Sequence, residues 1–405
     1  MLQRGKSGGS RPGSSMAERT NGKTDTVLDW LSLQHDAMIA LLADLVNIDG
    51  GSYDKAGVDA VGDRIRAFLE GEGITCDITP GTRFGDALHA TVGDGGLAGS
   101  NSTILLMGHR DTVFPKGEPT RRPFRIEDGR AYGPGVADMK AGLVMNAFVL
   151  AAFKRFGGAP APLVGLFTSD EEIGSPFSRP IIEAEARRAR AVFNAEPGRP
   201  GNGVVTGRKG GVFMRMDITG KAAHSGANFK EGVSAIEELA HKIIAIHALT
   251  DLERGTTLNV GTITGGQTVN TVAPSASAEI DLRFITPADC DAAMAEIEGI
   301  VANSTVKGTT ATLTIAGKFM PLAETPAAKA MYDHYAACAD ELGTPIRGEF
   351  TGGCADSGFA AEVGAPTICA IGPVGGKAHT PDEYLEVDSI VPRARMLALA
   401  IMRLQ

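Results

Sequence analysis

At 405 residues the chain exceeds what one hydrophobic core ordinarily serves, so two domains are the first expectation. Hydrophobic residues make up 43% and charged residues 21%, as in globular proteins, and a formal net charge of -9 without any basic stripe excludes nucleic acid as a partner. No apolar run approaches the ~20 residues that cross a bilayer, so no membrane partner is expected either.

Residues 1–25 are rich in Gly, Ser, Arg and Lys and lack the apolar stretch of a secretory signal, which predicts a disordered leader with Met16 as an alternative start. From residue 26 to residue 210, short apolar runs alternate with amphipathic stretches, the pattern of a mostly parallel α/β sheet. Val58–Leu69 carries an apolar stripe at helical spacing. Ile104–Met107, Leu163–Phe167 and Ala191–Asn194 are predicted strands, and Met139–Phe156 and Pro180–Arg190 predicted helices.

The texture changes at residue 211. Strand Val212–Thr219, helix Gly232–Ala248, strands Thr257–Thr264 and Ser277–Phe284, helix Pro287–Val301 and strand Ala311–Ala316 follow in the order β-α-β-β-α-β. That order predicts a ferredoxin-like module, one antiparallel sheet covered by two helices, inserted over residues 211–321. The α/β texture resumes over residues 322–405 with helix Ala327–Leu342, strand Pro366–Ile371 and helix Ile390–Leu404, so the first domain is discontinuous. The five cysteines, Cys76, Cys290, Cys338, Cys354 and Cys369, are scattered, odd in number and free of CxxC spacing, which fits reduced thiols in a cytoplasmic protein.

Acids and histidines gather where these strands end. His109 and Asp111 follow ILLM, Asp138 lies in the glycine-rich turn GPGVADMKAG, and Asp170, Glu171 and Glu172 follow LVGLF. Glu196 follows AVFNA, and His379 lies in GGKAHTPDE. Ligand sites of open α/β sheets form at the carboxyl ends of the strands. Singly, each residue has a plainer reading, since an acid after a strand often caps a helix or faces water. Together, imidazoles and carboxylates without clustered thiolates suit zinc, with cobalt or manganese as substitutes. Two histidines and three carboxylates are enough for two ions if one carboxylate bridges, and Asp138, the most central in order, is the candidate bridge. One of Glu171 and Glu172 then binds metal while its neighbour takes a proton from water. Asp111, two residues from His109 on the same side of an extended segment, is placed to receive that histidine's other ring N–H.

The segments GHRDTV, GPGVADMKAG, TSDEEIGS, NAEPG, GKAAHSG and KAHTPDE, in that order, resemble the aminoacylase/carboxypeptidase family of di-zinc metallopeptidases, and within it the glucarpidase-like (glutamate carboxypeptidase) branch. The resemblance implies two Zn2+ per subunit, one on His109, Asp138 and Glu196 and the other on Asp138, Glu172 and His379. It implies Glu171 as general base, Asp111 as partner of His109, and a cis Asp138–Met139 bond. It makes the inserted module a lid and homodimerisation domain whose His224 reaches a partner's active site to polarise the scissile carbonyl. It also implies that Asn270 and Arg283 hold the substrate's terminal carboxylate beside a glycine-rich turn at Gly352 and Gly353. Cys354 and Ser357 depart from the branch's pattern there, and Cys354 reads as a small buried residue.

The implied reaction is hydrolysis of the amide bond to a C-terminal amino acid, on N-acyl, N-aroyl or folate-like glutamates or on peptides. An N-acyl-amino-acid deacylase or dipeptidase of the same family is the nearest alternative. A non-catalytic metal-binding protein retaining the fold is the alternative from another class. Neither a GxSxG elbow nor a GxxxxGK[ST] loop occurs to support serine-hydrolase or nucleotide chemistry.

Overall fold

The computed structural model describes residue 24 and residues 26–93 and 102–404, so the expected leader lies outside the described residues save for residue 24. The chain opens with helices α1 (residues 26–32), α2 (His35–Val46) and α3 (Lys55–Gly71), then strands β1 (Thr75–Thr79), β2 (Ala87–Val92) and β3 (Thr103–His109). The short helix α4 (Glu118–Arg121) and strands β4 (Arg125–Glu127) and β5 (Arg130–Tyr132) precede a π-helical turn, Val136–Lys140, that runs into α5 (Ala141–Arg155). Next come β6 (Leu163–Thr168), α6 (Arg179–Ala186), β7 (Ala189–Asn194) and β8 (Gly203–Arg208). The inserted stretch contributes β9 (Gly210–Thr219), α7 (Ala235–His247), β10 (Thr257–Gly265), β11 (Ser275–Phe284), α8 (Pro287–Ala302) and β12 (Thr310–Phe319). The remainder is α9 (Pro326–Glu341), β13 (Arg347–Thr351), α10 (Ser357–Glu362), β14 (Thr367–Ile368), β15 (Gly375–Gly376), β16 (Tyr384–Glu386) and α11 (Ile390–Arg403).

The central sheet has the order β1-β2-β6-β3-β7-β14. Its strands β6, β3, β7 and β14 are parallel, and the β1–β2 hairpin adds an antiparallel edge. Side chains of β3 alternate between two helical layers. Ile104 and Leu106 pack into the core that holds α5, whereas Leu105 and Met107 pack with Ile182 and Ala186 of α6 and Phe359 and Ala360 of α10. A parallel strand covered on both faces needs an unbroken apolar run, which accounts for ILLM and LVGLF. The mostly parallel α/β fold is as expected.

Helix α5 with the turn before it corrects one expectation. Val136–Arg155 is long and apolar enough to cross a membrane, but 94% of its apolar window is buried inside the fold. The helix lies in the same apolar core as α2 and α11, so it is apolar all round because protein covers it all round. Several element boundaries also move. The helix expected from Met139 starts at Ala141, because Asp138 and Met139 leave helical geometry. The one expected to reach Arg190 stops at Ala186, where the chain turns into β7. The strand expected over Pro366–Ile371 shrinks to Thr367–Ile368, with Ala370 at φ +55°.

The inserted stretch forms a separate antiparallel sheet, β10-β11-β9-β12. Val212, Met214, Met216 and Ile218 of β9 alternate into a core with Leu239 and Ile246 of α7 and Ile297 of α8. Beneath the helices sits a buried ion pair, Lys242 to Glu238 at 2.8 Å. Lys242 also donates to the carbonyls of Ile300 and Asn303, while Glu238 accepts from the N–H groups of Thr305 and Val306, so the pair fastens α7 to the C-terminal end of α8.

Candidate metal centre

Parallel strands β3, β6 and β7 deliver their carboxyl ends to one edge of the sheet, and the chemistry-bearing residues sit there. His109 is the last residue of β3, Glu171 and Glu172 occupy a 3-10 turn after β6, and Glu196 lies two residues past β7. Asp138 comes from the π-helical turn, whose Asp138–Met139 peptide bond is cis. His379 comes from the loop after β15 and adopts φ +63°, a conformation that non-glycine residues seldom take.

These side chains form one continuous chain of donors. Asp138 sits between two imidazoles, with Oδ1 at 3.2 Å from His109 Nε2 and Oδ2 at 3.3 Å from His379 Nε2. His379 Nε2 also lies 3.1 Å from Glu172 Oε2, and His109 Nε2 lies 3.7 Å from Glu196 and 3.9 Å from Glu171. Candidate ligand atoms of His109, Asp138 and Glu172, and of His109, Glu171 and Glu196, lie within 4.8 Å of one another. His109, Glu171 and Glu196 are buried, Asp138 and Glu172 are half-buried, and the His379 side chain is 52% exposed, so the cluster opens to solvent on that side.

The electrostatics suit a cation. Burial drives Glu171 well above the usual carboxylate range, Glu172 up to about 7 and Glu196 upward as well. Burial alone lowers a histidine's pKa, yet the carboxylates of Asp111 and Asp138 outweigh it and hold His109 well above its ordinary value. His379 is raised to about 10 by Asp138 and Glu172. Glu172 Oε1 is buried without a hydrogen-bond partner. Crowded acids kept partly protonated, imidazole nitrogens aimed at carboxylates and an orphaned carboxylate oxygen are what divalent cations relieve, so the donor set fits metal.

Asp111 does more than its spacing predicts. His109 Nδ1 lies 3.0 Å from the Asp111 carbonyl oxygen and 3.4 Å from its carboxylate. The carboxylate accepts from the Ser52 hydroxyl and from the N–H groups of Glu171 and Glu172, so it also fixes the turn that carries both glutamates.

Arg283, on β11, donates from Nε to Asp281 and from a terminal nitrogen to Cys354 Sγ at 3.1 Å, and its guanidinium stacks over Phe213. It therefore joins the inserted sheet to the Gly352–Gly353 segment, where the Gly353 carbonyl accepts from Arg208. His224 and Asn270 are exposed and adjacent on the insert: His224 bridges Thr271, and Asn270 O accepts from the Ser225 N–H. His224 Nδ1 accepts from the N–H groups of Gly226 and Ala227, which makes Nε2 the N–H donor of the neutral ring. The structure brings His224 and Asn270 to each other, and among the described residues His224 is in neither group of candidate ligands around His109.

Three residues were not predicted. Glu383, fully buried, accepts from the N–H groups of Gly135, Ala137 and Asp138 at 3.2, 2.8 and 2.9 Å, cradling the turn that presents Asp138. Asp356, bonded to the Ser175 hydroxyl, is pushed up to about 8 by burial. Arg208 is buried, and the attraction of Cys369 and Glu196 raises its pKa despite burial. Glu383 lies inside the segment KAHTPDE and Asp356 three residues past the Gly352–Gly353 turn, so their positions were legible but their partners were not.

Comparison with known proteins places the chain in a family. Residues 105–403 match the peptidase family M20/M25/M40. The chain belongs to that family. Carboxypeptidase G2 of Pseudomonas sp. (strain RS-16) is 32% identical over 389 residues, covering 94% of this chain and 93% of that protein. Acetylornithine deacetylase of Edwardsiella ictaluri (strain 93-146) is 29% identical over 416 residues, covering 92% and 98%. The M20 metallo-carboxypeptidase Sso-CP2 from Sulfolobus solfataricus shares the fold at a TM-score of 0.73, with 18% identity over 90% of this chain and 99% of that one. Aminopeptidase PepT from Bacillus cereus does so at 0.71, with 22% identity over 91% and 98%. As an M20 family member the chain is a hydrolase of the metallopeptidase class, as the motifs implied.

Proposed function

We propose that this M20 hydrolase cleaves the amide bond to a C-terminal amino acid, glutamate first, in N-acyl, N-aroyl or folate-like substrates, using two zinc ions. The observation that carries the two-metal reading is Asp138, which offers one carboxylate oxygen to each histidine. His109, Asp138 and Glu196 would hold one ion, and Asp138, Glu172 and His379 the other. When bound, such ions polarise water and the amide carbonyl, and cobalt or manganese would serve in the same donors.

Glu171, buried beside the donors and with its basicity raised by burial, accepts a proton from water as the O–H adds to the carbonyl carbon. It returns that proton to the nitrogen as the C–N bond breaks, releasing a carboxylic acid and an amino acid. Asp111 orients His109 and the Glu171–Glu172 turn. Arg283 and Asn270, with the Gly352–Gly353 turn, hold the free carboxylate, for which a guanidinium supplies paired donors. His224 donates from Nε2 to the carbonyl oxygen of substrate in a partner subunit, so the working unit is a homodimer. Residues 26–210 and 322–405 form the catalytic domain, and residues 211–321 the lid and dimerisation domain. Five free thiols support a cytoplasmic site of action.

The 29% identity to acetylornithine deacetylase supports a second reading, deacylation of a small N-acyl amino acid. Metal analysis of the zinc-reconstituted chain, paired with a panel of N-acyl and N-aroyl derivatives of Glu, Asp and neutral amino acids, tests both. Two ions per chain with release of glutamate supports the first reading. Preference for acetylated neutral or basic amino acids supports the second, and no turnover with metal bound leaves a non-catalytic binding protein.

A further inference from the structure

Two buried acids from outside hold the turn that carries Glu171 and Glu172. The Asp111 carboxylate accepts from the N–H groups of both glutamates. Asp356 meets the flanks instead. Its Oδ1 accepts from the hydroxyl of Ser175, just past the turn, and its Oδ2 lies 3.4 Å from the hydroxyl oxygen of Thr168, the last residue of β6. All three side chains are buried. Ser175 adopts φ +53°, which a non-glycine residue keeps only where its surroundings hold it, and the bond to Asp356 is one such hold.

Asp356 occupies the N-cap position of α10, where an aspartate ordinarily accepts from the first N–H groups of the helix, yet its side chain makes no such bond. Its seat is rigid. Gly358 packs so closely on the Met320 carbonyl that a Cβ has no room, and Phe359 stacks on Phe319 at 5.7 Å. Just before it, Cys354 receives a donor from Arg283, and the Gly353 carbonyl one from Arg208. Residues 353–356 therefore run from the insert's arginine to the glutamate turn.

The proton count gives the charge of this acid. The Thr168 hydroxyl has one proton and two oxygen neighbours, Asp356 Oδ2 and the Gly108 carbonyl, both at 3.4 Å. A carbonyl has no proton to give, so both contacts are hydrogen bonds only when Asp356 brings the second proton. Burial, with the charges of Asp170 and Asp111, pushes Asp356 up to about 8, in keeping with a neutral group.

We propose that Asp356 is a positioning residue that works as an uncharged acid, accepting from Ser175 and donating to Thr168, and so fixes the aim of Glu171 and Glu172. Its effect on turnover rests on the hydrolase reading above, whereas its hold on the turn does not.

The test uses the full zinc-reconstituted chain. Asparagine is uncharged, keeps the shape, accepts from Ser175 through its oxygen and donates to Thr168 through its nitrogen. Asp356→Asn is expected to keep kcat and zinc affinity within about 3-fold of wild type, whereas Asp356→Ala lowers each by about 10- to 100-fold with KM little changed. A loss beyond about 3-fold in Asp356→Asn, or an Asp356→Ala variant that matches wild type, overturns the proposal. If Asp356→Ala does not fold, Ser175→Ala takes its place, with an expected loss of about 10-fold in zinc affinity, and unchanged affinity overturns the proposal. Infrared difference spectra of wild type against Asp356→Asn at neutral pH add a readout free of turnover. The C=O band of a protonated carboxylic acid is expected there, and its absence overturns the proposal. If no amide is hydrolysed, the hydrolase reading fails, while zinc affinity and the infrared band still decide the role of Asp356.

Discussion

At the scale of single residues, the centre gives different neighbours to acids that look alike in sequence. Glu171 and Glu172 are neighbours, yet Glu172 approaches His379 at 3.1 Å while Glu171 approaches His109 at 3.9 Å. Replacing Glu171 by Gln removes the proposed base and keeps the shape, so turnover is expected to fall about 100- to 10,000-fold with metal content unchanged. Atomic absorption alongside the amide assay checks this, and retained turnover would remove Glu171 from the mechanism. Metal uptake must displace protons from Glu172, raised to about 7, and from His379, raised to about 10. Zinc affinity is therefore expected to climb most steeply below pH 7, less steeply from pH 7 to 10, and to level above, as read by chelator competition. The same raised values mean that their stabilising share in the metal-free chain is present at low pH and fades as pH rises through those values. Glu383 touches none of the donor side chains, yet Glu383→Ala leaves three N–H groups of the Asp138 turn without their acceptor. Zinc affinity should drop about 10- to 100-fold, the cost typical of losing a partner that orients a ligand. Chelator competition reads this, and unchanged affinity would reduce Glu383 to a purely structural role.

Among the elements, those with strong periodicity or unbroken apolar runs were legible. The parallel strands β3 and β6 announce themselves because burial on both faces leaves no room for polar alternation, and the insert's order is visible because each element carries its own period. What escaped has little local signal. The small sheet β15-β16-β5-β4 joins segments from far apart in the chain, and the ends of β14, expected over Pro366–Ile371, were missed because only Thr367 and Ile368 pair with β7. The π-helical turn at Val136–Lys140 sits at the head of a helical pattern, and residue spacing does not report the change of hydrogen bonding there. Between α7 and α8, the Lys242–Glu238 pair was likewise unreadable, because a Glu and a Lys four apart ordinarily mark a solvated helix face. Here both are buried, so Lys242→Met strands a carboxylate and is expected to cost about 3–5 kcal/mol in urea unfolding, whereas replacing both by apolar residues costs far less.

For the whole molecule, the open question is how two cores cooperate in one site. Arg283 of the insert meets Cys354 of the main fold, while His224 is exposed on the insert. If His224 acts on a partner's substrate, His224→Ala and Glu171→Gln are each nearly inactive alone, and their mixed dimer carries one site with both residues intact. Activity recovered on mixing toward about a quarter to a half of wild type is the expected outcome. No recovery in a demonstrated heterodimer would confine His224 to its own subunit. Sequence by itself determined the α/β class, the insert, the family resemblance and the positions of the donor residues, because periodicity and ordered motifs are properties of short stretches. Only the tertiary structure decided which oxygen of Asp138 faces which histidine, that Asp111 holds the glutamate turn, and that Glu383 cradles Asp138 from 245 residues away. Those are hydrogen-bond geometries between distant segments, and nothing in local propensity encodes where a carboxylate finds its donors.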